Sequence, residues 1–224
     1  MTTTDSPARA IEIDIWADIA CPWCYIGKRR LQTAMDQVRA ENPAAQFLVR
    51  YHAFLLDPYA KPADGRTEAD VLALKFGDRG AAIKALSQVT QVAAQEGLTF
   101  DFDALVPTTT RPALQMLAYA ASAAADRQAE LAEALYRAHF SEGQDVADVE
   151  VLIAAAADIG IGEDEARRAL DSDEAADAVQ RDLAQATELG ITGVPFFVLD
   201  GKYSASGAQP AELFLRAFQD LQEA

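Results

Sequence analysis

The sequence is poor in the residues that build metal sites and disulfide scaffolds. It holds two cysteines and two histidines among 224 residues. Two cysteines exclude a disulfide-dense secreted framework. A structural zinc site takes about four ligands, and His52 and His139 stand in segments unrelated to the cysteine pair. No metal is therefore expected. No apolar run reaches the roughly 18 residues of a membrane-spanning helix. Positive charge is also scarce: 19 Lys and Arg face 35 Asp and Glu, a formal net charge of −16. Phosphates would be repelled, so neither nucleic acid nor a membrane is expected as a partner. Half of the residues are hydrophobic, too many for a disordered acidic chain.

The N-terminus lacks the basic start and apolar stretch of a secretory signal; Asp5 and Pro7 occupy that space. Residues 1–9 read as a flexible tail and the protein as cytoplasmic. Structural disulfides rarely persist in that compartment. Cys21 and Cys24, three apart, are then redox-active more readily than structural.

Ile11, Ile13 and Ile15 alternate with Glu12, Asp14 and Trp16, the period of a strand. A helical spacing, Ile26, Leu31, Met35 and Val38, follows the cysteines and ends before Asn42-Pro43. Gln46 to Phe54 is β-rich. The first ~55 residues thus predict a strand–helix–strand unit with a parallel pair. Residues 59–185 hold most of the alanine and little strand signal. Expected helix boundaries there are a cap at Thr67 with Asp70, a stop at Gly97, Pro112 just inside a start, Asp148 and Gly160 around another helix, a capping box at Asp171 with Glu174, and a stop at Gly190. Val194 to Leu199 then reads as a strand, Asp200-Gly201 as a hairpin turn and Tyr203 to Ser206 as its return. Leu213, Phe214 and Phe218 mark a last helix. The acidity is concentrated in the helical region, where 11 basic residues face 23 acidic ones, many near helix starts that favour them.

Cys21-Pro22-Trp23-Cys24 stands between a strand and a helix. Three residues apart at a helix start, both sulfurs share one face. Pro22 fits the first helical position, where a missing N–H costs nothing. The unpaired amides and dipole there favour negative charge on Cys21, a nucleophile and leaving group. Cys24, one turn in, is shielded and placed to resolve a mixed disulfide. Pro195 interrupts an apolar run, where proline normally ends pairing. A cis Val194-Pro195 bond and a trans edge-strand start both fit that position.

Residues 13–30, Ile-Asp-Ile-Trp-Ala-Asp-Ile-Ala-Cys-Pro-Trp-Cys-Tyr-Ile-Gly-Lys-Arg-Arg, resemble the active-site segment of the FrnE-like branch of the DsbA family. Gly193-Val194-Pro195-Phe196-Phe197-Val198 and Ser206-Gly207-Ala208-Gln209 resemble its later motifs. The resemblance implies an α/β thioredoxin fold (βαβ…ββα), residues 10–58 and 186–224, interrupted by a large all-helical insertion, residues 59–185. It implies that Pro195 is cis and faces the Cys21 sulfur, and that Val194 contacts substrate; Phe196 is its neighbour in the same segment. The acid that many thioredoxin-fold enzymes keep six residues before the first cysteine is Ile15 here. Asp18 and Asp14 are the candidates for proton transfer in its place, although a solvated loop carboxylate is the plainer expectation for Asp18. A solvated face is likewise expected for Lys28, Arg29 and Arg30. Trp23 fits a substrate patch and packing equally well, Tyr25 packing against the insertion; both histidines are expected to be structural or solvated.

Three functions follow. The first is a thiol–disulfide oxidoreductase acting on disulfide- or thiol-containing proteins or small thiols, with no cofactor beyond its own redox-active cysteines and glutathione as a candidate reductant. The second is a glutathione-dependent isomerase or transferase like the 2-hydroxychromene-2-carboxylate isomerases and kappa-class transferases, which resemble this chain but usually carry Ser where it has Cys21. The third is a chaperone-like peptide-binding module. A homodimer is compatible with each.

Overall fold

The computed structural model describes residues 9–222, so most of the expected N-terminal tail lies outside the described residues. Strand β1 (Ile11–Ala17), helix α1 (Pro22–Glu41) and strand β2 (Phe47–Ala53) come first. β1 and β2 are parallel, from Ile11 opposite Phe47 to Ala17 opposite Ala53. β3 (Phe196–Leu199) and β4 (Tyr203–Ser206) form an antiparallel hairpin, and β3 runs antiparallel to β1 with Ile15 opposite Phe197. The sheet order is β2-β1-β3-β4. Between β2 and β3 lie α2 (Glu68–Phe76), α3 (Arg79–Gln95), α4 (Arg111–Ala123), α5 (Gln128–Phe140), α6 (Val149–Asp158), α7 (Glu163–Leu170) and α8 (Asp173–Glu188); α9 (Ala211–Gln222) closes the chain.

The period-two pattern of β1 divides its side chains between two layers. Ile13 and Ile15 are buried in the main core with residues of α1 and α9. Phe197 meets Phe214 with ring centroids 4.9 Å apart, and Phe47 meets Phe218 at 4.9 Å. Trp16 faces the other way, into a smaller cluster with Ala186 and Ile191. Asp200 (φ 55°) and Gly201 (φ 65°) both take the left-handed conformation a two-residue hairpin turn requires.

An exposed sheet edge invites unwanted pairing. On β2 that edge is met by side chains of the helical region. The buried Gln128 amide accepts from the Tyr51 N–H (2.9 Å) and donates to the Tyr51 carbonyl (3.1 Å), and Asp182 accepts from the Ala53 N–H (2.8 Å).

Two boundaries differ from expectation. The cap of α8 is Ser172, whose hydroxyl accepts from the Ala175 N–H, while Asp171 ends α7. The two helices are so close that the acidic residue belongs to the first one's end. β3 begins at Phe196, after the proline, because Val194 and Pro195 turn the chain instead of pairing. The expected cap at Thr67 with Asp70 opens α2 and the expected stop at Gly97 follows α3, the two helices being parted by Gly77 (φ 73°) and the second capped by Asp78.

Candidate active site

Cys21 is the N-cap of α1, in extended backbone (φ −94°, ψ 108°), with Pro22 in the first turn. The first turn of α1 carries no acidic residue. Cys24 lies one turn on, its N–H bonded to the Cys21 carbonyl at 3.0 Å. Both cysteines are free thiols and both are 3% exposed. The Val194–Pro195 bond is cis, and the Cys21 thiol donates to the Val194 carbonyl at 3.6 Å. Residues 173 positions apart in the chain thus meet where α1 begins.

The loop opposite Cys21 is held from behind. The Gly207 N–H donates to the Pro195 carbonyl (2.8 Å). Arg30 donates to the Ala208 carbonyl (2.6 Å) and to Glu96, the C-cap of α3 (2.6 Å). Gly27 lets α1 come this close: a Cβ there would sit 3.0 Å from Pro195 Cγ and 3.1 Å from Phe197 Cζ.

Asp18 is not a solvated loop carboxylate. It is 1% exposed. Its carboxylate accepts from the Thr110 hydroxyl (2.6 Å) and from the N–H groups of Leu56 (2.8 Å) and Ala20 (3.1 Å). The tight loop into the motif folds the residue under the helix start, and Ala20 of that loop, Leu56 beyond the end of β2 and Thr110 at the N-cap of α4 supply the partners. Burial pushes its pKa up, against those hydrogen bonds. The Cys24 thiol is pushed well up by burial, then by its hydrogen bond with Cys21, with the Asp18 charge adding to the effect. Asp14 lies elsewhere, on the Trp16 side of the sheet, 3.0 Å from His52. Its hydrogen bond with that ring lowers its pKa.

Lys28, Arg29 and Arg30 do not form a solvated face either. Lys28 (2.5 Å) and Arg29 (2.8 Å) pair with Glu133 of α5, which also accepts from the Tyr25 hydroxyl (2.7 Å). The Tyr25 ring stacks on Tyr136 (5.0 Å) and Phe100 (5.8 Å). These contacts leave no local signal along the chain, because Glu133 lies about a hundred residues from its partners. Trp23 is 40% exposed beside the motif. Phe196 packs edge-on against Trp16 (6.5 Å), so its ring is engaged in the smaller cluster. His52 is held between Asp14 and Asp182, each at 3.0 Å. His139 is buried. Among the described residues no group of His, Cys, Asp and Glu could hold a metal ion, and no helix is long and apolar enough to cross a membrane.

A family model for the DSBA-like thioredoxin domain matches residues 12–219. The chain belongs to that family. Its α/β architecture is accordingly a DSBA-like thioredoxin fold, with seven helices between the βαβ and ββα parts. A probable DsbA oxidoreductase from Streptomyces coelicolor is 35% identical, with TM-score 0.82, over 94% of this chain and 89% of that one. Two further structures share the fold at lower identity. One is a 2-hydroxychromene-2-carboxylate isomerase, 17% identical with TM-score 0.66, covering 94% of this chain and 95% of that one. The other is the cytosolic disulfide reductase DsbM from Pseudomonas aeruginosa with glutathione, 22% identical with TM-score 0.63, covering 95% and 98%. No curated protein matches the chain.

Proposed function

We propose that this DSBA-like protein is a thiol–disulfide oxidoreductase that exchanges disulfides through Cys21-Pro22-Trp23-Cys24. One observation carries the reading: the Cys21 thiol, at the first turn of α1, lies 3.6 Å from the carbonyl that precedes Pro195. A nucleophile at a helix N-terminus is favoured as an anion by the unpaired amides there. A substrate chain laid along Val194 and Pro195 would bring its sulfur to Cys21.

The exchange balances as follows. The Cys21 thiolate attacks one sulfur of a substrate disulfide, the substrate S–S bond breaks, and the first substrate thiolate leaves. Cys24 then loses its proton and attacks Cys21; the second substrate thiolate leaves and Cys21–Cys24 becomes the disulfide. The reverse sequence oxidises a substrate dithiol. The high pKa of Cys24 keeps it protonated until it is needed. Asp18, buried beside it with a raised pKa, is the proton acceptor in this scheme; Asp14, held by His52 across the sheet, is not.

A second reading, a glutathione-dependent isomerase, has a structural relative in its favour. The intact cysteine pair disfavours it, since such a reaction needs only the thiol of glutathione. Trp23 and Val194 are assigned here to substrate contact, and glutathione to the role of reductant, as the DsbM structure with glutathione suggests. A cytosolic setting, like that of DsbM, suits the reducing direction.

The test is reduction of insulin by glutathione or dithiothreitol with the protein as catalyst. Turnover is expected to fall to background in Cys21→Ser. Undiminished turnover in that variant would overturn the assignment. Isomerase activity retained in Cys24→Ser would favour the second reading.

A further inference from the structure

The sheet has two edge strands, β2 and β4, and the fold treats them differently. Side chains of the helical region bond to the backbone of β2. On the β4 side the Gly207 N–H points inward, to Pro195. Backbone groups alternate in direction along a strand, so those of Ser204 and Ser206 point outward, away from β3. The Ser206 carbonyl accepts from the Gln209 side chain (2.6 Å), which leaves it a second lone pair. The other outward groups of Ser204 and Ser206 have no partner among the described residues. Alongside this edge runs a groove of about 380 Å³ between β4 and α9. Its lining includes Leu199, Ala205 and Ala217 with Tyr203 and Leu213, the last two each 40% exposed. Neither cysteine lines it, nor does Val194 or Pro195. Glu212, Arg216 and Asp220 follow one another at single-turn spacing on its α9 wall. Arg167 and Glu163, also four apart, form an ion pair; these three form none among the described residues. An open strand edge beside exposed apolar side chains marks a docking surface.

The occupant that fits this surface is a second copy of the chain. A two-fold axis through Ala205, perpendicular to the sheet, sets β4 antiparallel to its counterpart. Ser204 of each copy then faces Ser206 of the other, and the outward groups exchange about four backbone hydrogen bonds. After Pro210, α9 turns back along β4, and the same axis places both copies of it on one face of the joined sheet. At about 1.5 Å per helical residue and 3.3 Å per strand residue, the level of Ala205 falls near Phe214. Glu212 of each copy thus comes level with Arg216 of the other, two opposite-charge pairs from one wall. The distribution of charge favours the same face. The helical region carries net −12 of the chain's −16, and its helices α4, α5 and α8 pack on β2, at the opposite edge of the sheet. Joining the β4 edges keeps the two acidic regions at opposite ends. We propose that the protein is a symmetric homodimer joined through β4 and α9, its two four-stranded sheets continuous across the axis.

The inference does not rest on thiol exchange, and its test keeps the two apart. The full-length protein is followed by sedimentation equilibrium from about 1 to 100 μM, which spans dissociation constants of that range. The expected particle has twice the 24.1 kDa mass of the chain. Ser204→Pro removes an outward N–H and no β3–β4 bond, so the edge strand tolerates it. It should raise the dimer dissociation constant about ten-fold or more, the scale of two lost hydrogen bonds. Arg216→Glu and Glu212→Arg should each raise it about ten-fold or more by setting like charges against each other. The combined Glu212→Arg, Arg216→Glu protein restores opposite charges and should return to within about three-fold of the wild type. The Cys21→Ser, Cys24→Ser protein should dimerise as the wild type does, which separates this contact from an intermolecular disulfide. A monomer at every concentration would overturn the proposal and leave the groove to a foreign strand. Assembly beyond the dimer, an unchanged constant in folded Ser204→Pro and Arg216→Glu, or a charge swap that fails to restore association would each overturn it as well. Loss of disulfide exchange with the dimer intact would overturn only the oxidoreductase reading.

Discussion

The His52 clamp predicts a pH dependence of stability with a definite sign. His52 projects from β2 between Asp14 of β1 and Asp182 of α8, 3.0 Å from each, and its ring stacks on Trp16 at 4.5 Å. Arg50 also approaches Asp14, at 3.6 Å. Burial works against the charged ring, but the hydrogen bonds and charges of Asp14 and Asp182 outweigh it and hold the pKa at about 9. An unfolded histidine titrates near 6.5. A group raised on folding stabilises fully below its unfolded pKa and loses that contribution as pH rises through the folded one. At about 1.4 kcal/mol per pKa unit, the contribution is roughly 3 kcal/mol at pH 6 and close to zero by pH 9.5. Asp14 acts in the opposite direction: its pKa is lowered, so its share is lost in acid, and it does not blur the alkaline limb. The assay is denaturant unfolding at pH 6 and pH 9.5, wild type against His52→Gln. The wild type should lose about 2–3 kcal/mol more than the variant between the two values. Parallel losses in both proteins would refute the charged clamp between the sheet and α8.

Other substitutions test the remaining structure. Asp18→Asn should leave Cys21 reactive towards a small disulfide but slow resolution by Cys24 by about 10²-fold or more, the scale of a lost general base; stopped-flow kinetics that show both steps unchanged would remove Asp18 from the scheme. Gly27→Ala should destabilise by about 1–3 kcal/mol through overpacking against Pro195 and Phe197, and should slow exchange, because the loop facing Cys21 must retreat; a stabilised, fully active variant would show that the loop yields freely. Ser172→Ala should cost about 1 kcal/mol and Asp171→Ala within about 0.5 kcal/mol in thermal or urea unfolding, and the reverse order would restore Asp171 as the cap.

The strands and the cysteine motif were legible because their signals are local. Alternation in Ile11 to Trp16, the Asp200-Gly201 turn and Pro22 after Cys21 each need only a few residues to be read. The α2–α3 break was also encoded locally, by Gly77 and Asp78, but alanine-rich periodicity runs across it. What escaped was pairing at a distance. Asp18 looks solvated beside its sequence neighbours, but Thr110 at the N-cap of α4 and Leu56 in the loop after β2 meet its carboxylate in the fold. Lys28 and Arg29 read as a surface stripe until Glu133 arrives from α5. A charge's fate depends on which element packs over it, and one sequence does not carry that.

The central claim is that Cys21 attacks and Cys24 resolves. It is tested most directly by mixing reduced Cys24→Ser protein with a disulfide-bonded protein and identifying the adduct by mass spectrometry. The account predicts a mixed disulfide at Cys21 that accumulates in Cys24→Ser, is absent in Cys21→Ser and is released by dithiothreitol. No adduct in Cys24→Ser, or an equal adduct when Cys21 is replaced, would contradict it.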